Sequence, residues 1–141
     1  DDFDFICHII IRNIRTFYDS GKLEFTPLYK DEEDDRLFVR TLFNKTIINN
    51  EEYESAISER TKNWEVDRIA LMDILILKMA LSELVNFPGI PVKVSINEYI
   101  DISKEYSTPK SKQFVNGVID KLALDYKEQG KIVKTGRGLI G

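Results

Sequence analysis

Cysteine, histidine and tryptophan each occur once in the 141 residues, and methionine occurs twice. A single cysteine cannot form an internal disulfide, and one cysteine with one histidine is too few for a structural zinc site. Cys7 lies in an apolar run, where we expect a buried, reduced thiol of a cytoplasmic protein. No metal or other cofactor is therefore expected.

The residues that most enzymes use are also scarce. His8 is embedded in an apolar run, and Ser-His-Asp or Cys-His catalysis would depend on it alone. No glycine-rich phosphate-binding loop occurs, because the 7 glycines are scattered or lie near the end of the chain. The paired carboxylates, such as Asp34-Asp35, are explained by the favourable effect of negative charge at helix N-termini. We expect no catalytic site.

Long apolar runs are missing as well. Asp73 and Lys78 interrupt the longest one, which stays below the ~20 residues that a membrane span needs. The start of the chain has no secretory-signal pattern. The chain begins with Asp1 and no initiator methionine, so we expect it to be part of a longer polypeptide. Its length and its composition, 43% hydrophobic and 31% charged, are those of one globular domain.

Apolar residues return at helical spacing from end to end, with almost no alternation of period two. The pattern predicts an all-α fold of about six helices. The predicted spans are 4–19, a helix with the acidic run 31–35 at its N-terminus, then 51–61, 64–87, 92–106 and 109–128. We predict a single domain over 1–130, with N-terminal helices in 4–61 and C-terminal helices in 64–128. Residues 131–141 are predicted to form a flexible tail.

Local signals refine this prediction. The span 64–87 is apolar nearly all round and is predicted to be the central helix. Asn50 is a candidate N-cap for the third helix, and Ser95 with Glu98 is a candidate capping box. Thr108 followed by Pro109 predicts the start of the last helix. The inward stripe of the second helix is predicted to be Val39, Leu42, Phe43, Thr46 and Ile47.

Charge is unevenly distributed along the chain. The net charge is -4, but residues 1–35 hold ten Asp and Glu against four Lys and Arg, whereas 104–141 hold eight Lys and Arg against four acids. Because local fields govern association, an acidic chain can still present a basic face. The alternative is that these lysines are ordinary solvated helix surface.

The helix 109–128 carries the most informative pattern. At 100° per residue one stripe faces the core, made of Val115, Val118, Ile119, Leu122 and Tyr126. Phe114 projects about 100° from the centre of that stripe, near the projections of Lys110 and Lys121. An aromatic ring flanked by lysines suits single-stranded nucleic acid, because the ring stacks on a base while the ammonium groups contact phosphates. The alternative, that Phe114 packs beneath the preceding loop, stays open at this point.

Four segments resemble the NusB family of bacterial transcription antitermination and ribosomal-RNA synthesis factors. They are Trp64-Glu-Val-Asp67-Arg68-Ile69, the run 73–84, the motif IPxKVxINExIxxxK at 90–104 and the motif FVNGVxDK at 114–121. The resemblance covers about 60 residues, and 36–63 fit the family's preceding helices more loosely.

The resemblance implies an all-α fold of two three-helix subdomains without catalysis. It also implies binding of boxA-type RNA together with ribosomal protein S10 (NusE), a heterodimer that joins the RNA polymerase antitermination complex. The implied RNA-binding residues are Lys110, Ser111, Lys112 and Phe114, with Lys93 and Lys104 as further phosphate contacts. Lys121 is added to this set because it projects near Phe114. Asp73 matches an acidic position that contacts S10, and Asp67 is a second candidate for that surface. Packing and loop-fixing roles are assigned to Trp64, Arg68, Ala80, Asn97 and Asn116.

The chain departs from the family at its start. The family's first helix opens with an Arg-rich segment that binds RNA, whereas residues 1–15 hold only Arg12 and Arg15 as arginine or lysine residues. Aligned through 36–63, residues 4–19 fall on the family's second helix. We therefore expect this chain to be the C-terminal part of a longer NusB-like protein, with the first helix possibly missing. Alternatively, this branch has lost the basic arm.

Two other functions are weighed against this one. The first is a helical protein-interaction module that kept the fold but lost RNA binding, which the acidic N-terminal third favours. The second is the RNA-binding domain of a ribosomal-RNA methyltransferase. It is less favoured because such domains precede the catalytic part, whereas this chain ends in a glycine-rich tail.

Overall fold

The computed structural model describes residues 2–22, 30–64, 69–106 and 108–141, and this part of the chain is built from helices. The α-helices are α1 (Asp2–Ser20), α2 (Glu32–Ile48), α3 (Asn50–Arg60), α4 (Leu71–Asn86), α5 (Val92–Tyr106) and α6 (Pro109–Glu128). A short 3-10 helix, Gly136–Leu139, follows them. The described residues include no strand, so the all-α prediction is confirmed.

The ends of α5 and α6 agree with the predicted spans, because strong local signals define them. Thr108 has the extended backbone of an N-cap, and its hydroxyl accepts a hydrogen bond from the backbone N–H of Ser111. The start of α4 was predicted too early. Trp64 closes a turn after α3, its N–H bonded to the Thr61 carbonyl at 2.9 Å, and α4 begins only at Leu71. Residues 65–68 lie outside the described part.

Two predicted caps are wrong. Asn50 is the first residue of α3 rather than its cap, and the N-cap Asn49 makes no side-chain capping bond. The Asn50 side chain instead accepts a hydrogen bond from Lys78 Nζ at 2.8 Å, which links α3 to α4. Ser95 lies buried inside α5, because the helix already begins at Val92 after Pro91. It therefore cannot start a capping box.

The chain divides into two compact units, Asp1–Leu37 and Phe38–Gly141. This division does not coincide with the predicted boundary between the helices of 4–61 and those of 64–128; the predicted domain arrangement itself stays a prediction. In the N-terminal unit, α1 ends as predicted before Gly21, which has a φ of 69° and donates its N–H to the Phe17 carbonyl.

One face of α1 is apolar, but it is exposed. Ile10, Ile14 and Phe17 are exposed, and Cys7 is only half-buried rather than fully buried as expected. The described part of the N-terminal unit consists of one helix and the first turns of α2, so no second layer is available there to cover this face.

The C-terminal unit has its core among α3, α4, α5 and α6, with α4 in contact with each of the other three. The buried core side chains include Tyr53, Ile57, Leu77, Leu81, Val115, Val118, Ile119, Leu122 and Tyr126. Each aliphatic side chain of this set contributes about 1.5–3 kcal/mol when it is fully buried. The predicted core stripe of α6 and the central position of α4 therefore agree with the observed packing.

Two apolar faces differ from the prediction. In α2, Leu42 is buried but Val39, Phe43 and Ile47 are exposed, so the predicted inward stripe is wrong for these three. In α4, Leu71 and Leu75 are exposed although the sequence is apolar nearly all round. Periodicity identifies an apolar face, but a neighbouring element must be present to bury it.

Polar groups are buried where α4 meets α5 and the C-terminal residues. The Tyr99 hydroxyl donates to the Glu83 carboxylate at 3.5 Å, and burial raises the pKa of Glu83. Lys134 donates from Nζ to the Phe87 carbonyl at 3.0 Å, and desolvation lowers the pKa of this lysine. The first contact links α5 to α4, and the second connects the C-terminal residues to the end of α4.

The segment after α6 is held at several points. The Thr135 N–H bonds to the Pro88 carbonyl at 3.0 Å, and a Cβ added to Gly138 would overlap that same oxygen. Only a glycine permits this close approach of two backbones. The flexibility predicted for 131–141 stays a prediction, but in the structure these residues pack against the turn between α4 and α5.

Candidate nucleic-acid interface

The N-terminus of α6 is shaped by its first residues and the cap before them. Pro109 occupies the first turn, where a missing N–H costs nothing. The hydroxyl groups of Thr108 and Ser111 lie 3.2 Å apart and share a hydrogen bond. The helix dipole and the N–H groups of this first turn favour a negatively charged ligand, and Lys110 and Lys112 project from the same turn into solvent.

A pocket of about 390 Å³ opens beside this helix end. It is lined by Asn63, Trp64, Ile69, Asp73, Thr108, Lys110, Ser111 and Phe114. The structure thus brings together three of the predicted RNA-binding residues and one predicted S10-binding residue. Chain segments from three places meet here: the turn after α3, the first turn of α4 and the first turns of α6.

The two aromatic side chains of this pocket have different exposure. Phe114 is only 4% exposed, and its ring meets that of Trp64 edge-on, with 5.0 Å between the ring centroids and 81° between the planes. Trp64 is 43% exposed. The expectation that Phe114 offers a free ring face is therefore wrong for this structure, because the ring is enclosed and packs against Trp64. The indole of Trp64 is the ring that solvent, and hence a base, can reach.

Asp73 is also less exposed than a residue that contacts a protein partner is expected to be. It lies in the first turn of α4 and is 2% exposed, so its carboxylate has little surface to offer to a protein partner. It takes part in an interaction within the protein. Its S10-binding role stays a prediction. Asp67, the second candidate for that role, and Arg68 lie outside the described residues.

The remaining predicted lysines are exposed but do not all share the pocket. Lys121 projects on the same side of α6 as Phe114, about 20° from it at 100° per residue. Lys104 forms an ion pair with Asp101 at 2.9 Å. Lys93 lines a different groove, between α5 and α6. Lys110 and Lys121 therefore share a side of α6 with Phe114, whereas Lys112 projects about 160° from that ring. Lys93 and Lys104 also lie outside this basic surface.

Sequence reasoning missed Trp64 and Asn63 as pocket residues, because the segment before α4 was predicted to be helical core. The signal available was the single tryptophan of the chain, directly before a cluster of charged residues. Of the residues assigned to packing, Ala80 is buried as expected, whereas Asn97 and Asn116 are both exposed. The packing role is therefore wrong for the two asparagines.

Comparisons with known proteins agree with the resemblance seen in the motifs. The NusB family matches residues 11–124 of the chain. The chain belongs to the NusB family. A transcription antitermination protein NusB from Salinibacter ruber is 49% identical over 115 residues, which is 82% of this chain and 71% of the relative. A protein of the same name from Chloroherpeton thalassium is 39% identical over 103 residues, or 73% of this chain, and the match spans 49% of its length.

A solved structure of the family shows the same fold. The chain superposes on T. maritima NusB with a TM-score of 0.57 and 32% identity, over 72% of this chain and 70% of that one. Within the described residues, no helix is long and apolar enough to cross a membrane.

Proposed function

We propose that this chain acts as a transcription antitermination factor in the cytoplasm. In this role it binds boxA-type single-stranded RNA together with ribosomal protein S10 (NusE), and this complex joins RNA polymerase. The antitermination role is supported by family membership and by the name that its relatives carry. The RNA and S10 parts rest on the matched motifs and on the pocket at the N-terminus of α6.

One observation carries the RNA proposal: the half-exposed indole of Trp64 and the basic side chain of Lys110 line the same pocket at a helix N-terminus. Trp64 offers a face for stacking, which contributes about 1–3 kcal/mol per base. Lys110 borders the same pocket, and the first-turn N–H groups of α6 favour phosphate. These groups match the three needs of a single strand: a stacking ring, point charges and backbone donors.

In this arrangement Phe114 is a positioning residue. Its buried ring supports the indole edge-on, so the orientation of Trp64 depends on it. Lys121 extends the basic surface along α6, whereas Lys112 projects from the opposite side of the helix and stays a prediction as an RNA contact. Lys93 and Lys104 stay predictions as phosphate contacts, and each would need RNA to continue beyond the pocket.

The test uses labelled boxA-type RNA and fluorescence anisotropy, with and without S10. Because Trp64 is the only tryptophan, quenching of its emission reports directly on the pocket. Lys110→Glu should weaken binding and lower the slope of log affinity against log salt by about 0.7 for each phosphate that the variant no longer neutralises. Lys45→Glu, the same charge change on an exposed residue of α2 outside the pocket, is the matched control.

Absence of binding at low salt in both conditions would contradict the proposal. An equal effect of Lys110→Glu and Lys45→Glu would show that only net charge matters, and the pocket would lose its role.

The test of S10 binding needs a substitution that the buried position of Asp73 can accommodate. A lysine there would replace the buried carboxylate by a longer side chain of opposite charge, so Asp73→Asn, which keeps the size, is the better change. Loss of S10 affinity in calorimetry is the expected result, in a variant that thermal unfolding shows to be folded at the assay temperature. Equal affinity would remove Asp73 from the S10 surface.

The alternative, a protein-interaction module without RNA binding, is favoured by one observation: the ring of Phe114 is enclosed rather than presented to solvent. A mobility-shift assay with S10 present separates the two functions. Binding of S10 without any RNA shift would favour the interaction module.

A further inference from the structure

A second groove, larger than the pocket, lies between α5 and α6 and has a volume of about 720 Å³. The two helices pack against each other, and the start of α5 lies beside the end of α6, because Val92 and Lys127 line the same groove. The C-terminal residues from Lys134 onward form one wall, where they pack against the turn that contains Pro88. The volume lies within the range of specific binding sites in proteins.

The groove and the pocket lie on different sides of α6. At 100° per residue, Asn116, Asp120 and Lys127 project within about 40° of one another. The pocket residues Lys110 and Phe114 project roughly 80–160° away from Asn116 and Asp120. A ligand seated in the pocket therefore does not occupy the groove.

The polar groups of the groove are available for binding. Asn97 and Asn116 are exposed, and within the described part of the chain neither side chain is engaged in a hydrogen bond. Each amide offers an acceptor and two donors, which are the groups needed to pair with the backbone of an extended peptide. Asp120, four residues after Asn116, adds an acceptor for a backbone N–H.

The charge of the groove is mainly positive, and its floor is apolar. Lys93, Lys127 and Lys134 line it, against Asp120 as the only acidic lining residue in the described chain. Lys134 already donates to the Phe87 carbonyl but retains further donors. The floor is formed by aliphatic side chains, among them Val92, Ile96, Ile100 and Ile132.

We propose that the α5–α6 groove binds an extended peptide segment of a protein partner, with acidic side chains facing the lysines and aliphatic side chains on the floor. Charge complementarity selects the acidic partner and steers its approach. The two asparagines hold the peptide backbone. This site is separate from the proposed RNA-binding pocket and does not depend on it.

The lining chemistry favours a peptide over single-stranded RNA. Recognition of unpaired bases relies on aromatic stacking platforms, and among the described residues no aromatic side chain lines the groove. Aliphatic floors with a few polar groups instead suit aliphatic side chains. RNA in the groove is therefore kept as an outcome that the experiment must exclude.

The experiment measures anisotropy of a labelled, extended peptide of alternating glutamate and leucine, with a lysine–leucine peptide as the probe of opposite charge. The variants are Asn116→Ala, Lys127→Glu and the matched control Lys45→Glu, which makes the same charge change in the last turn of α2, outside the groove. Asn116→Ala does not threaten the helix, because alanine has the higher helix propensity.

We expect saturable binding of the acidic peptide only, weakened about fivefold by Asn116→Ala through the removal of one hydrogen bond. Lys127→Glu should weaken it more, and Lys45→Glu should leave it unchanged. Equal weakening by the two charge reversals, or no saturable binding at all, overturns the proposal.

Competition with boxA-type RNA completes the test. If unlabelled RNA displaces the peptide and Asn116→Ala weakens RNA binding, the groove is a nucleic-acid site and the peptide proposal is wrong. If peptide binding persists in a protein that fails to bind RNA, only the proposed RNA function is lost. The two failures are therefore distinguishable.

Discussion

Replacing each aromatic side chain of the pocket by alanine should separate stability from RNA binding. Trp64→Ala should lower RNA affinity while leaving the protein folded. Phe114→Ala should chiefly lower the free energy of unfolding. The difference follows from the exposure of the two rings, 43% for Trp64 and 4% for Phe114.

The two substitutions should differ in their free-energy costs. Truncating a buried phenylalanine costs about 3–5 kcal/mol, a large share of the ~5–15 kcal/mol by which a domain is stable. Removing Trp64 loses the edge-on ring pair, worth about 0.5–1.5 kcal/mol, and part of the indole's buried area. Its effect on RNA should be about 1–3 kcal/mol, the value of one stacked base.

The assay combines thermal unfolding with anisotropy of labelled boxA-type RNA at fixed salt. Trp64→Phe serves as the conservative variant, because it retains a ring for stacking and should recover part of the affinity. The reasoning would be refuted if Phe114→Ala remained as stable as the parent while losing RNA affinity, since Phe114 would then be the stacking ring. Unchanged RNA affinity in Trp64→Ala would remove the indole from the site.

Three further predictions concern stability and charge. Burial raises the pKa of Glu83 above its ordinary 4.5, so the folded protein loses stability as pH rises from 4.5 through the raised pKa. Glu83→Gln should remove this loss. Unfolding midpoints that change with pH in parallel for the parent and the variant would contradict this prediction. Gly138→Ala should displace the C-terminal residues, because the new Cβ would overlap the Pro88 oxygen, and faster amide exchange at Thr135 is the measurement. Lys78→Met removes the hydrogen bonds from Nζ to Asn50 and Glu54, so it should lower the free energy of unfolding by about 1 kcal/mol. An unchanged midpoint in thermal unfolding would show that these hydrogen bonds do not contribute to stability.

Several features could be predicted from the sequence because their causes are local. The spans of α5 and α6 follow from Pro91, the Thr108-Pro109 pair and Gly130, which act within a turn of the helix. The core stripe of α6 follows from helical periodicity alone. The family motifs are likewise contiguous, so the NusB resemblance needed no tertiary information.

Exposure could not be predicted in the same way, because it depends on which distant segments meet. Phe114 and Trp64 are 50 positions apart in numbering, and only the folded chain sets one ring against the other. Asp73 looks like a surface acid at its helix start, yet it is only 2% exposed in the folded chain. The apolar faces of α1 and α2 differ from expectation in the opposite direction. Their pattern predicts burial, but most of their apolar side chains are exposed.

The sequence by itself determined the helical class, the limits of the last two helices and the family. Each of these depends on residues close together in the chain, where hydrogen bonding and side-chain periodicity act. Only the tertiary structure decided that Trp64 rather than Phe114 faces solvent, and that Asn97 and Asn116 line a groove. These properties depend on packing between helices, because a side chain is buried only where another segment covers it.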